Sequence, residues 1–195
     1  MYTIRAIYNE CTVRVYQAYC KEIALPALDA QTFVWPFKKG RMTWIKPSFN
    51  WMMYRSGFGL KERQECILAI DIKRQGFEWV LGHSVISGCP ESYPMYADWK
   101  RVLQNSCVRV QWDPERNWRL DPVENMRSIQ LGLKGEAMER YVHDWIQRID
   151  DVTPLAIKAL EAIKADRPAG ELPPSRERIF PFNLNSNRYL KPIVV

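Results

Sequence analysis

GRMTWIKPSFNWMMYRSG, from Gly40 to Gly57, is the stretch around which this chain is built. Residues Arg41–Lys46 are predicted to form a β-strand, and Pro47–Ser56 a short helix. Proline is favoured at the first position of a helix, and Gly57 supplies the left-handed conformation that ends many helices. A strand that passes directly into a helix leaves backbone N–H groups unpaired at the junction, where the helix dipole also favours an anion.

A cation and a hydroxyl stand at this junction, because Lys46 ends the strand and Ser48 precedes the helix. Aromatic side chains, among them Trp44 and Tyr54, lie on both sides of the junction in sequence. An aromatic wall beside an anion-binding group suits a base or a nicotinamide ring stacked above charged groups. The alternative is that Ser48 only caps a helix of the core.

Two later strands are predicted to have one apolar and one polar face. In Cys107–Trp112 the valines alternate with Arg109 and Gln111, and in Ser128–Leu133 the isoleucine and leucines alternate with polar residues such as Gln130. The polar faces of neighbouring strands either line a cleft or face water, as in any one-sided sheet.

Carboxylates follow the first of these strands at a spacing of two residues. Gln111, Asp113 and Glu115 share one face of an extended chain and are expected to converge on one place, near a turn at Pro114. A carboxylate in that position can orient a ribose hydroxyl or stabilise positive charge as a leaving group departs. The alternative is a simple turn in which Asp113 bonds its own backbone before the proline.

Arg5 and Arg14 are the candidates for holding a phosphate group near the N-terminus. The planar guanidinium fork of either residue can bind two oxygens of a pyrophosphate. Arg5 lies in the mostly apolar run TIRAIY, and an arginine that faces inward from such a run needs a partner.

The remaining patterns predict an α+β fold with mixed or antiparallel sheets. Residues 1–165 are expected to form a single domain, and residues 166–195 an extended C-terminal arm packed on it through its aromatic side chains. The other predicted elements are strands at Thr12–Tyr19 and Cys66–Ile72, the latter covered on both faces, helices at 21–30, 76–87, 135–150 and 153–164, and a loop at 88–100.

Composition excludes several classes of protein. The net charge of +6 indicates either a polyanionic partner or a surface with surplus arginine. No apolar run is long enough to cross a membrane, and the N-terminus is unlike a secretory signal, so no membrane partner and a cytoplasmic location are expected. Five cysteines without C-x-x-C spacing and two histidines predict no metal site.

A family resemblance is carried by the stretch quoted first and by the segments IRAIY, VYQAY, LAIDI, VQWDPER and RSIQLGL. Through these segments the chain resembles a microbial family known as a domain of unknown function and numbered four-two-nine-one. The resemblance covers about residues 3–155. It implies no settled activity.

The order of VYQAY, IALPALDAQTF, TWIKPSF with its helix, LAIDI and VRVQWDPE is similar to the layout of ADP-ribosyltransferases. That superfamily binds NAD in a cleft between two small sheets with flanking helices. The resemblance implies that Thr43–Ser48 stands for the family's second motif, and Gln111 with Asp113 or Glu115 for the carboxylate motif. Gln17 stands where a histidine would follow the tyrosine of the first motif, so an arginine must anchor the ligand.

The predicted function is therefore that of an NAD-dependent ADP-ribosyltransferase, with NAD as substrate and a nucleic acid, a nucleotide or a protein as acceptor. The alternatives are a non-catalytic module that binds RNA or a nucleotide, and a structural or regulatory protein. The predicted catalytic residues are Asp113 and Glu115, and the predicted ligand-binding residues are Arg5, Arg14, Gln17, Trp44, Lys46, Ser48, Tyr54 and Gln111.

Overall fold

Strands and helices follow one another along residues 1–89, 96–168 and 170–190, which the computed structural model describes. In chain order they are β1 (Arg5–Ala6), β2 (Thr12–Tyr19), α1 (Lys21–Ala30), β3 (Thr43–Ile45), α2 (Phe49–Ser56), β4 (Cys66–Lys73), α3 (Arg74–Gly82), β5 (Ser84–Ile86), α4 (Tyr96–Asn105), β6 (Val108–Arg116), β7 (Pro122–Leu133), α5 (Glu136–Arg140), β8 (Ile146–Asp151), α6 (Thr153–Lys164) and β9 (Arg178–Ile179). A π-helical turn occupies Tyr141–Trp145 and a 3-10 turn Pro173–Arg176. The fold is a single α+β domain, as predicted.

The strands form two main sheets that touch at one point. One sheet has the order β2–β4–β8 and is antiparallel throughout. The other has the order β3–β7–β6–β5, in which β5 is parallel to β6 and the other pairs are antiparallel, while β1 pairs with β9 separately. The backbones of Tyr16 and Lys46 join the sheets through two hydrogen bonds of 2.7 and 3.2 Å.

The ladder between β2 and β3 cannot extend past this bridge, for a local reason. Pro47 has no N–H group to donate, and the chain then enters α2 with Ser48 as the N-cap. The Ser48 hydroxyl accepts a hydrogen bond from the Trp51 backbone, and Gly57 ends the helix at φ 58°, as the sequence predicts. On the other side of the bridge, the side chain of Gln17 reaches from β2 to β3 in place of a backbone ladder.

The core has two parts, one on each face of the sheet that contains β4. The larger lies between the two sheets and includes Val15, Leu68 and Leu131, and the smaller packs α2 and α6 against Tyr16 and Ile67. The predicted burial of β4 on both faces is confirmed. None of the helices in the described ranges has the length and apolarity needed to cross a membrane.

The helix predicted at 135–150 is wrong in its last third. It begins as α5 and continues as the π-helical turn, but residues Ile146–Asp151 form β8, which pairs with β4. The open edge of β4 needs hydrogen-bond partners, and this tertiary demand outweighs the helical spacing of the apolar residues. The Gln31 side chain completes the pairing by bonding both backbone groups of Ile149, at 2.9 and 3.0 Å.

Other boundaries also differ from the prediction: the strand expected at Arg41–Lys46 is β3 (Thr43–Ile45), and the helix expected at Pro47–Ser56 begins at Phe49, after the N-cap Ser48. The helix expected at 76–87 is α3, and it ends at Gly82 so that β5 can pair with β6. The loop expected at 88–100 gives way to α4 from Tyr96. The chain does not turn at Pro114, because β6 continues to Arg116 through a bulge that accommodates the proline. Residues 90–95 of that loop, and residues 169 and 191–195 of the predicted arm, lie outside the described part.

Candidate functional site

A cleft of about 940 Å³ opens where the two sheets separate. It is bordered by the end of β2 and the start of α1, by β3 with the preceding residues 36–42, and by α2, residues 62–64 and the polar faces of β6 and β7. We call this space the central cleft. The predicted polar faces of Cys107–Trp112 and Ser128–Leu133 therefore line a cleft through Gln111 and Gln130, and do not only face water.

Lys46 lies at the bottom of the central cleft with only 6% of its surface exposed. Its ammonium lies 5.1 Å from the centre of the Trp51 ring. Among the described residues, no carboxylate lies within 4.0 Å of it and no side-chain hydrogen bond satisfies it. Burial and the charge of Arg55 lower the pKa of Lys46 to about 7, against the opposing charge of Asp113. Within the described ranges, this buried side chain has no anion paired with it.

An amide and a carboxylate come together beside Lys46. Gln130 on β7 donates from its side-chain nitrogen to Gln111 at 2.6 Å and to Asp113 at 2.7 Å. Burial raises the pKa of Asp113, while the bond from Gln130 and the charge of Lys46 lower it. Asp113 is half-buried and is connected to the lining of the central cleft through its bond from Gln130.

A closed network of neutral polar groups forms the wall near β2. The Gln17 amide nitrogen lies within 3.1 Å of the Tyr19 hydroxyl, the Thr43 hydroxyl and the Trp44 carbonyl. The Gln17 oxygen accepts from the buried hydroxyl of Tyr141 at 2.7 Å. Burial raises the pKa of Tyr19 to about 12 and that of Tyr141 well above its usual value, so both hydroxyls stay neutral near pH 7.

The Trp44 side chain lies across β7 because position 132 has no side chain. Trp44 faces Gly132 in the strand register, and a Cβ at Gly132 would lie 3.1 Å from the Trp44 ring and 2.6 Å from the Met42 sulfur. Such distances are too short for ordinary contacts, so the glycine allows the ring to rest at the edge of the central cleft.

The N-terminus of α2 is already occupied by a carboxyl group of the chain itself. The Phe49 backbone N–H donates to the Glu177 carboxylate at 2.8 Å. The Ser48 hydroxyl, 1% exposed, donates to Glu115 at 2.9 Å. Burial raises the pKa of Glu177 to about 8, helped by the charge of Glu115. An internal carboxyl group thus takes the place expected for an anion at this helix end, and the cation expected with it, Lys46, lines the central cleft.

The other predicted residues lie outside the central cleft. Arg14 forms a two-pronged ion pair with Asp71, at 2.8 and 2.6 Å, on the β2–β4 pair, and Arg5 donates to the Glu177 carbonyl at 2.9 Å. The exposed ring of Tyr54 carries the Arg116 guanidinium at 3.7 Å.

The structure thus sorts the ten predicted residues into three groups. Those lining the central cleft are Gln17, Trp44, Lys46 and Gln111, with Asp113 attached through Gln130. Arg5, Ser48 and Glu115 lie with Glu177 around the N-terminus of α2. Arg14 and Tyr54 lie elsewhere.

Several lining residues were not among those predicted. Gln130 lies opposite Gln111 in the register, and the alternation of both strands carries enough information to find it. Arg63 and Tyr19 also line the central cleft. Arg63 belongs to an irregular segment without any periodic pattern, so only the folded chain brings it to the site.

No group of three or more histidine, cysteine, aspartate or glutamate side chains in the described ranges could hold a metal ion. No disulfide joins the cysteines of the described ranges. The chemistry available in the central cleft is that of the buried ammonium of Lys46, peripheral cations, amides, aromatic rings and the carboxylates of Glu22 and Glu62, with the Asp113 carboxylate bonded to Gln130.

Comparison with known proteins gives a family and no activity. No curated protein matches the sequence. A family described as a domain of unknown function, DUF4291, matches residues 3–179. The matched range runs from the residues before β1 to the end of β9, and so contains every element that borders the central cleft. Because the match covers most of its length, the chain belongs to the DUF4291 family.

Proposed function

We propose that the central cleft binds a nucleotide by its phosphates, that NAD is this nucleotide, and that the protein transfers ADP-ribose to a nucleic acid or a nucleotide. The observation that carries the proposal is the buried ammonium of Lys46, which has no anionic partner among the described residues. A buried unpaired charge is costly, and a protein retains one where a ligand of opposite charge completes it.

The lining suggests a role for each neighbouring group. Lys46 and Arg55 would hold the pyrophosphate, and the ring of Trp44 would stack on the nicotinamide. Gln111 and Gln130 would hydrogen-bond the ribose. Arg14 and Ser48 are engaged in contacts within the protein, so the proposal gives them no contact with the ligand.

The reaction breaks the bond between ribose C1′ and the nicotinamide nitrogen. The bonding electron pair leaves with nicotinamide and neutralises its ring, while positive charge develops on C1′ and the ring oxygen. The carboxylate of Asp113 would stabilise that charge and hold a ribose hydroxyl. An acceptor atom then bonds to C1′ and loses a proton to solvent, so the products are nicotinamide, the ADP-ribosylated acceptor and H⁺.

Nicotinamide release from NAD by the pure protein tests this proposal, with RNA, single-stranded DNA, free nucleotides and proteins offered as acceptors. Asp113→Asn is expected to lower turnover at least about 100-fold and to change NAD affinity less than about threefold. Asp29→Asn, at an exposed position outside the central cleft, is the matched control and should leave both unchanged. Absence of NAD binding by calorimetry, together with no turnover for any acceptor, would refute it.

A non-catalytic module that binds RNA or a nucleotide is the second candidate. The position of Glu115 favours this candidate, because its carboxylate bonds Ser48 in the interior. Of the two carboxylates predicted to be catalytic, only Asp113 then remains beside Lys46. In this case Asp113→Asn removes a negative charge near the ligand phosphates, so affinity should hold or rise and no turnover is lost.

A further inference from the structure

The central cleft concentrates cations that form no ion pair within the described ranges. Its lining contains five cations, which are Lys38, Arg41, Lys46, Arg55 and Arg63, against the carboxylates of Glu22 and Glu62. Across the described ranges, none of these five side chains forms an ion pair with a carboxylate. When Lys46 is protonated, the lining has three more positive than negative charges, which favours a ligand with several negative charges.

Two of the segments that supply these cations also carry an exposed apolar side chain a few residues earlier in the chain. In one segment, Trp35 is 88% exposed and precedes Lys38 and Arg41. In the other segment, Leu60 is 76% exposed and precedes Arg63. We call residues 35–41 the first rim and residues 60–64 the second rim. A tryptophan this exposed has no role in packing the core, and its ring is accessible to a flat partner.

We propose that the acceptor is a single-stranded nucleic acid that lies across both rims, with a base stacked on Trp35 and its phosphates on Lys38, Arg41 and Arg63. A strand of phosphodiesters supplies charges at regular intervals that match cations on two separate rims. Stacking on an exposed ring requires unpaired bases, which a duplex does not offer. The binding surface stands on the rims alone, whereas the role of the strand as acceptor rests on the proposed function.

Fluorescence anisotropy with labelled oligo-dT and oligo-U of about 12 nucleotides measures this binding directly. Trp35→Ala is expected to weaken binding about tenfold through loss of stacking. Arg63→Gln and Lys38→Gln are each expected to weaken it and to lower the salt dependence of log K by about 0.7. The matched controls are Ile157→Ala and Lys158→Gln, which alter exposed residues on α6 and should leave binding unchanged.

Two competitors decide the class of ligand. A duplex of the same length and poly-glutamate should each compete at least about tenfold more weakly than the single strand. Equal competition by poly-glutamate would show that the rims accept any polyanion, such as an acidic peptide, and would overturn the proposal. Equal affinity for the duplex, or rim variants that bind like the unaltered protein, would overturn it as well.

NAD titration of the same variants separates this inference from the proposed function. Trp35→Ala should retain NAD affinity, because Trp35 lies on the rim and not in the lining. If the oligonucleotides bind as described and NAD does not, the proposed transferase fails while the single-strand surface stands. If NAD binds and is cleaved but rim variants modify the oligonucleotides at the unaltered rate, the acceptor assignment fails and the transferase stands.

Discussion

Lys46 carries its charge into the protein at a cost that depends on pH. Its pKa is about 7 when folded, well below the ordinary value of 10.5, chiefly because burial penalises the ammonium. Below about pH 7 the folded protein contains the buried charge, and the full cost applies. As pH rises from 7 towards 10.5 the folded protein has lost a proton that the unfolded chain still holds, so the cost is relieved and stability rises.

Lys46→Met is therefore expected to stabilise the protein, by about 3 kcal/mol near pH 6 and by progressively less towards pH 10. Urea unfolding followed across this range measures the difference, with Lys158→Met as the control at an exposed position. A stabilisation of equal size at both ends would show that the ammonium is not desolvated in the folded protein.

Lys46→Met is also expected to abolish most nucleotide binding, although it makes the protein more stable. In the unaltered protein, affinity should fall as pH rises above about 7, since the phosphates bind the protonated amine. The variant should bind at least about tenfold more weakly and lose this pH dependence, which titration calorimetry at several pH values can measure. Unchanged affinity in the variant would remove the main support for the proposed site.

At the scale of elements, the sheet of β3 and β7 positions the aromatic wall through one glycine. Gly132 faces Trp44 on the polar side of the sheet, and the ring occupies the space that a side chain would need. The apolar side of the same strand, with Leu131 and Leu133, is fully buried. A side chain at position 132 would therefore contact Met42 and Trp44 of the central cleft, and not the apolar core on the other face of the sheet.

Gly132→Ala is expected to destabilise the protein by about 1–3 kcal/mol, because its Cβ would lie 2.6 Å from the Met42 sulfur and 3.1 Å from the Trp44 ring. The displaced ring should also weaken nucleotide binding. Gly88→Ala is the matched control, as its Cβ would meet nothing within 4 Å. Thermal unfolding and nucleotide titration measure the two effects, and equal results for both alanines would contradict the close approach.

At the scale of the whole molecule, the C-terminal segment is joined to the first half of the chain through Glu177. Its carboxylate caps α2, its carbonyl accepts from Arg5, and Phe180 is buried in the larger core. The pKa of Glu177 is about 8 when folded, against an ordinary value of 4.5. Between pH 4.5 and 8 the folded protein keeps a proton that the unfolded chain has lost, so this residue lowers stability as pH rises through that range.

Glu177→Gln keeps an acceptor for the Phe49 N–H and removes the charge. It is expected to stabilise the protein by about 3 kcal/mol above pH 8, and much less near pH 5, where the unaltered carboxyl is protonated. Denaturant unfolding at the two pH values tests this, with the exposed Glu171→Gln as control. A variant that is less stable than the unaltered protein at high pH would mean that the carboxylate is ionised and favourable in the folded state.

Much of the local structure follows from residues that are neighbours in sequence. Ser48 and Gly57 cap the two ends of α2, because caps and left-handed stops depend on a few adjacent groups, although Pro47 precedes the cap and is not the first helical residue as predicted. The alternation around Gln111 and Gln130 identifies the polar faces that line the central cleft, because side chains alternate on any strand. The sequence also identifies Lys46 as the cation at the junction of β3 and α2, because it directly precedes Pro47 and the N-cap Ser48.

Only the tertiary structure decided which of these polar groups meet. Residues 146–151 have a helical pattern but form β8, since the edge of β4 requires a partner from far along the chain. Arg14, predicted to bind a phosphate, forms an ion pair with Asp71. The N-terminus of α2, predicted to bind a ligand anion, contacts Glu177, which lies 128 residues after Phe49. Long-range pairings of this kind depend on which surfaces remain unsatisfied after packing, and no periodicity in a single sequence records that.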